Sequence, residues 1–226
     1  MESYFFDTNV IISYYFLWEP QHENVKRFIE SNNPKYYSQT VKGESEKKSS
    51  EIQKNFSDFI NLLLNELRKS KKTSKNYELM NKSSFKSLLT NFKKFDFNEN
   101  QIIDLIWEKS NEYYENKINI DKIINNVQEV KNYFLQIFYK SKTYCNEKLI
   151  IHTMEKRDEE LEKNIRNLLH ELDLTIFLEA HDLALNKPIK NLCFVSANKG
   201  FIDNSEVLID NSKVYKIINS GKFIFN

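Results

Sequence analysis

The stretch Tyr4-Phe5-Phe6-Asp7-Thr8-Asn9-Val10-Ile11-Ile12 decides how this chain is read. Three aromatic residues with strand character run straight into a carboxylate, and apolar residues resume once Thr8 and Asn9 are past. A buried strand ends on Asp-Thr-Asn when the chain turns there, or when those polar atoms have something to hold. The first reading makes Asp7, Thr8 or Asn9 a helix cap, because a short side-chain oxygen satisfies free backbone N–H groups. The second makes Asp7 one of several gathered carboxylates, and it requires other acids in matching positions.

At 226 residues and 27.1 kDa, the chain has room for one large domain or for one domain with a substantial insertion. Its 40% hydrophobic and 29% charged residues, with only 3 Gly and 3 Pro, point to a soluble protein of long helices and few tight turns. No apolar run approaches the roughly 20 residues of a membrane span. The start carries Glu2 and no basic segment, so a secretory signal is not expected. Cys145 and Cys193 have no partner at metal-ligand spacing, and Cys193 sits in an apolar strand-like run where a buried inert thiol is the default. A reducing, cytoplasmic setting fits.

The net charge of +1 conceals an asymmetry. Between Arg68 and Lys94 nine Lys/Arg face the single acid Glu78, a local net of +8, which leaves −7 for the rest of the chain. From Glu155 to Asp182, nine Asp/Glu face four Lys/Arg. One section suits phosphate and another suits cations.

Along the chain, Tyr4–Phe6 reads as a short strand, His22 and Glu23 open an amphipathic helix, and Tyr36–Ser38 is a second strand. Val41 to about Arg68 has helical spacing (Ile52, Phe56, Phe59, Ile60, Leu63), and Lys69 to Lys75 reads as a polar break. Helical patterning returns around Phe85–Phe92, over Gln101–Tyr114 behind the cap Asn98, and along Ile123, Val127, Val130, Phe134 and Ile137. Further helices are expected over Glu159–Leu169 and Asp173–Asn186. Leu192–Ser196, Val214–Ile218 and Phe223–Phe225 read as strands. Strand–helix alternation at both ends favours an α/β fold, a central mostly parallel sheet flanked by helices, interrupted by a helical run.

Four polar residues sit where a strand hands over to the next element, or at a helix start: Asp7, Glu44, Asp173 and Asn198. In a parallel sheet the carboxyl ends of neighbouring strands converge on one edge, where such folds place ligands. Carboxylates crowded there raise one another's pKa unless a divalent cation neutralises them, and oxygen-only ligands suit Mg²⁺ or Mn²⁺.

These residues resemble the motifs of the PIN-domain nuclease family. Phe6-Asp7-Thr8-Asn9-Val10-Ile11 is similar to the family's opening strand, and Ser38-Gln39-Thr40-Val41 with Glu44 to its second strand and acidic helix. Asp173 with Ile176 and Ala180 resembles the third acidic motif, and Val195-Ser196-Ala197-Asn198-Lys199-Gly200-Phe201 the fourth. The four occur in family order over about the first 65 and last 70 residues. The resemblance implies a PIN-like nuclease domain over residues 1–66 and 155–226, with a large all-helical insertion over 67–154. It implies a metal-dependent endonuclease, usually acting on RNA and of toxin or defence type. Asp7, Glu44 and Asp173 would surround Mg²⁺ or Mn²⁺, and Asn198 would complete the catalytic set. Thr8, Asn9 and Ser196 would orient the carboxylates.

Asn198 stands where the family often has Asp, which removes one negative charge and should weaken metal binding. Asp203 and Glu171 are near enough in sequence to supply it, although their simpler reading is a solvated surface carboxylate. Asp182 and Glu179 read as solvated helix faces, and the four histidines as structural or exposed. In the insertion, Arg68, Lys69, Lys71, Lys72 and Lys75 are candidates for holding a phosphate backbone that an acidic site would repel; a solvated helix face is the alternative. Expected partners are RNA, or DNA if the chain is a flap-type DNA endonuclease, with a protein inhibitor or antitoxin and a homodimer as candidates, and no membrane. The competing class is a catalytically weak PIN-like module that binds nucleic acid or protein.

Overall fold

In the computed structural model, which describes residues 2–73, 79–88, 95, 97–111, 117–187, 189 and 191–222, the opening stretch forms strand β1 (Ser3–Phe6) and helix α1 (Thr8–Tyr15), with Asp7 alone between them. Helix α2 (His22–Ile29), strand β2 (Lys35–Ser38) and the long helix α3 (Gln39–Thr73) follow. Next come β3 (Leu79–Met80), α4 (Lys82–Ser87), α5 (Glu99–Ser110), β4 (Ile118–Asn119) and α6 (Ile120–Lys148). The C-terminal part contains β5 (Ile150–His152), α7 (Glu159–Ile165), α8 (Glu171–Asn186), β6 (Leu192–Ser196), α9 (Lys199–Asp203), α10 (Ser205–Asp210) and β7 (Lys216–Asn219).

Residue contacts divide the chain into two units, Met1–Ser49 with Phe138–Asn226, and Ser50–Ile137. The first is an α/β unit. Its five strands form one sheet in the order β5-β2-β1-β6-β7, with every pairing parallel. Progress across the sheet therefore runs outward from β1 in both directions, and the chain changes direction between β1 and β6. In doubly wound sheets that switch point opens a crevice beyond the carboxyl ends of the strands. Here the two strands run in register from Ser3↔Leu192 to Phe6↔Val195, so Asp7 emerges beside Ser196.

The two central strands are buried along their whole length, as their unbroken apolar runs require of strands covered on both faces. Phe5 stacks on Phe194 at 5.9 Å, and Phe194 meets Phe201 at 4.7 Å and Phe177 at 5.5 Å. These rings bind β1, β6, α8 and α9 into one apolar layer directly beneath the strand ends. Both cysteines are free and buried, and burial pushes each thiol up to about 12.

The second unit is built on α-helices with one two-stranded antiparallel ladder, β3 with β4. Its core is aromatic and aliphatic: Phe56 meets Phe134 at 5.4 Å, Phe59 meets Phe97 at 5.6 Å, and Ile102, Ile106, Ile123 and Val127 are fully buried. On α6, Phe138 is buried and Tyr139 exposed.

Several sequence expectations change. The expected polar break from Lys69 to Lys75 is helical as far as Thr73, because lysine is a good helix former and i,i+3 pairing of Lys69 with Glu66 at 2.6 Å supports the turn. The insertion, expected to be all-helical, includes the β3–β4 ladder. Strand β5, which falls inside residues 67–154, belongs to the five-stranded sheet, and the two units divide at 49/50 and 137/138. Residues 89–94, 112–116 and 223–226, which include parts of three expected elements, lie outside the described residues. Among the described residues no helix is long and apolar enough to cross a membrane.

Candidate active site at the carboxyl edge of the sheet

Three strand ends in the α/β unit are finished in the same way: a short polar side chain leaves the strand and caps the helix that follows. Asp7 is the N-cap of α1, its Oδ1 accepting from the Thr8 N–H at 2.6 Å. Ser38 Oγ accepts from the Val41 N–H at 3.1 Å in the first turn of α3. Asn198 caps α9, its Oδ1 accepting from the Gly200 N–H at 2.9 Å. The cap reading of Asp7 therefore holds, and capping uses only one of its two carboxylate oxygens.

The other Asp7 oxygen accepts from Ser196 Oγ at 2.7 Å, and Ser196 Oγ itself accepts from the Asn198 N–H at 3.0 Å. Asp7 is 1% exposed. Burial, and then the charges of Asp173 and Glu44, push its carboxyl up to about 6, against the opposing pull of the Ser196 and Thr8 hydrogen bonds. Asp7 therefore feels the charges of both other acids across the site.

Glu44 lies in the second turn of α3, half-buried. Thr8 Oγ1 donates to its Oε2 at 2.5 Å, and Lys48 Nζ, one turn further on, sits 2.7 Å from its Oε1. Asp173 stands in the first turn of α8, where the helix dipole favours an anion. Its Oδ2 accepts from Asn198 Nδ2 at 2.9 Å; burial and the Glu44 charge nevertheless hold its carboxyl above the ordinary value. The amide at position 198 thus works as a donor, capping α9 with its oxygen and steadying Asp173 with its nitrogen.

Of the residues expected to orient the carboxylates, Thr8 donates to Glu44 and Ser196 to Asp7. Asn9 is half-buried in the first turn of α1 and does not join this network among the described residues. Glu171 and Asp203 are exposed, and among the described residues neither side chain is hydrogen-bonded into this network. Two expectations are corrected: Asp182 and Glu179 are not solvated helix faces but 2% and 5% exposed. The cause is visible in the sequence of α8, where Leu174, Ile176, Phe177, Leu178, Ala180 and Leu183 leave no wholly polar side, the pattern of a helix covered all round.

Asp182 is fully engaged. It accepts from His152 at 2.9 Å, from the Glu155 N–H at 3.0 Å and from Asn186 Nδ2 at 2.6 Å, and so latches the end of β5 to α8. His22 contacts the Ser13 carbonyl at 3.0 Å and His181 accepts from the Lys213 N–H at 3.0 Å, so these buried histidines are structural.

In chemical kind, Asp7, Glu44 and Asp173 are the oxygen donors a hard cation takes, and Asp7 and Asp173 are held above their usual pKa by burial and by neighbouring carboxylate charge. Among the described residues, however, no group of three or more Asp, Glu, His or Cys side chains stands close enough to clasp a metal ion. A cation drawing on Glu44 would compete with Thr8 and Lys48 for that carboxylate.

The basic segment is partly neutralised within its own unit. Arg68, Lys69, Lys71 and Lys72 are exposed on the last turns of α3, with Lys69 paired to Glu66 and Lys71 to Asp121 at 2.5 Å; Lys75 lies outside the described residues. Lys82 and Lys86 both reach Asp104, at 2.8 and 2.9 Å. Burial pushes the Asp104 carboxyl up, but these two ammonium groups outweigh it and hold the group below its usual value. Among the described residues, Lys69, Lys71, Lys82 and Lys86 therefore already have an acidic partner. No family model matches the chain, and neither a curated protein nor a solved structure shows significant similarity to it.

Proposed function

We propose that the α/β unit is a metal-dependent endonuclease of the PIN type, hydrolysing phosphodiester bonds in single-stranded RNA. One observation carries the reading: at the switch point between β1 and β6 the charges of Asp173 and Glu44 both raise the Asp7 carboxyl, and the Glu44 charge raises that of Asp173. The resemblance of the surrounding motifs to PIN domains supports it, as does the hydroxyl pair Thr8 and Ser196 holding two of the three acids.

A bound Mg²⁺ or Mn²⁺ would supply Lewis-acid stabilisation of the phosphoryl oxygens and acidify an attacking water. Asp7, Glu44 and Asp173 would hold that ion. Ser196 would steady the Asp7 carboxylate and Thr8 that of Glu44 through their hydrogen bonds. Burial keeps Asp7 partly protonated near neutral pH in the absence of an ion, so binding a cation displaces a proton from it. Arg68, Lys69, Lys71 and Lys72, exposed on α3, would hold the phosphate backbone without reading sequence.

The test is cleavage of matched single-stranded RNA and flap-DNA substrates with and without Mn²⁺. Metal-dependent RNA cleavage lost in Asp7→Asn supports the reading; equal cleavage by that variant rejects it, and preference for the flap substrate moves the assignment to DNA. The spacing of the carboxylates favours one second reading, a catalytically weak nucleic-acid or protein-binding module. It predicts no heat of Mn²⁺ binding.

A further inference from the structure

The helices that carry Glu44 and Asp173 are joined by a partly buried hydrogen bond that the proposed chemistry has not used. Thr40 Oγ1, in the first turn of α3, donates to Glu179 Oε1 of α8 at 2.6 Å. Thr40 precedes Glu44 by four positions, which puts the two side chains on one face of α3, one turn apart. Glu179 follows Asp173 by six positions on α8. The bond therefore ties the two acidic helices together within about two turns of each acid.

Glu179 is 5% exposed, and its second oxygen, Oε2, is buried with no hydrogen-bond partner among the described residues. A buried carboxylate oxygen without a donor is costly, and replacing both members of such a pair by apolar groups of the same shape is commonly neutral or stabilising. The neighbours Phe177, Leu178 and Ala180 already provide apolar contact at this level of α8. Stability alone gives no reason for a threonine–glutamate tie here.

We infer that Glu179 is a positioning residue of the proposed nuclease site: through Thr40 it fixes α3 against α8 and thereby sets the separation of Glu44 and Asp173. The inference rests on the nuclease reading for its consequences and on the hydrogen bond for its geometry. Holding reacting groups to within about 1 Å matters in proportion, since a displacement of that size costs on the order of 100-fold in rate.

The experiment pairs Thr40→Val with Glu179→Met, a shape-preserving replacement of both partners, and measures melting temperature, Mn²⁺ affinity by calorimetry and cleavage of a single-stranded RNA oligonucleotide. The expected result is an unchanged or higher melting temperature, with Mn²⁺ affinity and cleavage each lowered about tenfold or more. A lower melting temperature with unchanged affinity and cleavage would make the pair purely structural and overturn the inference, as would no change in any quantity. If the double variant does not fold, Glu179→Gln decides: it keeps an acceptor for Thr40, so affinity and cleavage should stay within a few-fold of the parent. A tenfold loss there would mean that the charge itself is used, and the positioning role fails. If the parent neither binds Mn²⁺ nor cuts RNA, the nuclease reading fails separately. Crystal structures of parent and double variant then judge the tie, which predicts a changed Glu44–Asp173 separation and is overturned by an unchanged one.

Discussion

Removing the charge of Asp7 should stabilise the metal-free protein while abolishing its function. Asp7 ionises near 3.8 when unperturbed and near 6 in the fold, so the folded state holds its proton more tightly than the unfolded chain does. The sign follows directly: the contribution is fully present below about pH 4, is lost as pH rises towards about 6, and stays lost above it. With each pKa unit equivalent to about 1.4 kcal/mol, the loss across that window is on the order of 3 kcal/mol. Asp7→Asn has no such loss, and its side-chain oxygen can still accept from Ser196 or from the Thr8 N–H. At pH 8 without divalent ions the variant should therefore exceed the parent by up to about 3 kcal/mol, roughly 2–4 °C in melting temperature for each kcal/mol. At pH 4 the two should melt together. Urea titrations of both proteins from pH 4 to 8 in EDTA measure the difference, and subtraction removes every other titrating group common to the two. Added Mn²⁺ should narrow or reverse the gap, because only the parent gains from binding an ion there. A variant that is less stable than the parent at pH 8 and level with it at pH 4 would refute the reasoning, since Asp7 would then be favoured in its charged form.

Ser196→Ala removes a hydrogen bond that favours ionised Asp7, so the acid limb of the cleavage-rate profile should move to higher pH; a fixed limb would separate Asp7 from the limiting ionisation. Asn198→Asp replaces the donor to Asp173 with a fourth charge, and should tighten Mn²⁺ binding while lowering metal-free stability, both read by calorimetry. Gly43→Ala places a methyl group where nothing lies within 4 Å, in the α3 turn beside Glu44, and should raise stability by about 0.5–1 kcal/mol in urea titration. Charge reversal of Lys69, Lys71 and Lys72 should weaken RNA binding and flatten its salt dependence; an unchanged slope would leave these lysines as a solvated helix face.

The strands of the sheet's centre were legible because Tyr4–Phe6 and Leu192–Ser196 are uninterrupted apolar runs, which only a strand covered on both faces can use. The polar residues at their ends were legible for the same reason: Asp7 and Asn198 stand where burial stops and a helix must be capped. Strand β5 was not legible, since its three residues follow without a break the helical pattern that ends at Lys148. The lysine-rich stretch is misleading in the opposite way, because the solvated last turns of α3 need no apolar spacing to be helical. In α8 the acids at 179 and 182 looked solvated by residue type, although the apolar residues around them on every side marked the helix as covered. The Thr40–Glu179 bond spans 139 positions, and its two members have no shared local pattern that could have paired them.

The central claim is that Asp7, Glu44 and Asp173 share one divalent cation. A crystal structure of the protein soaked in Mn²⁺, read from the anomalous signal of the metal, tests it most directly. The account predicts an ion at the carboxyl edge between β1 and β6, bound by these carboxylates with Glu44 turned away from Lys48. A soak at saturating Mn²⁺ that leaves all three carboxylates bare and Glu44 still on Lys48 would contradict it.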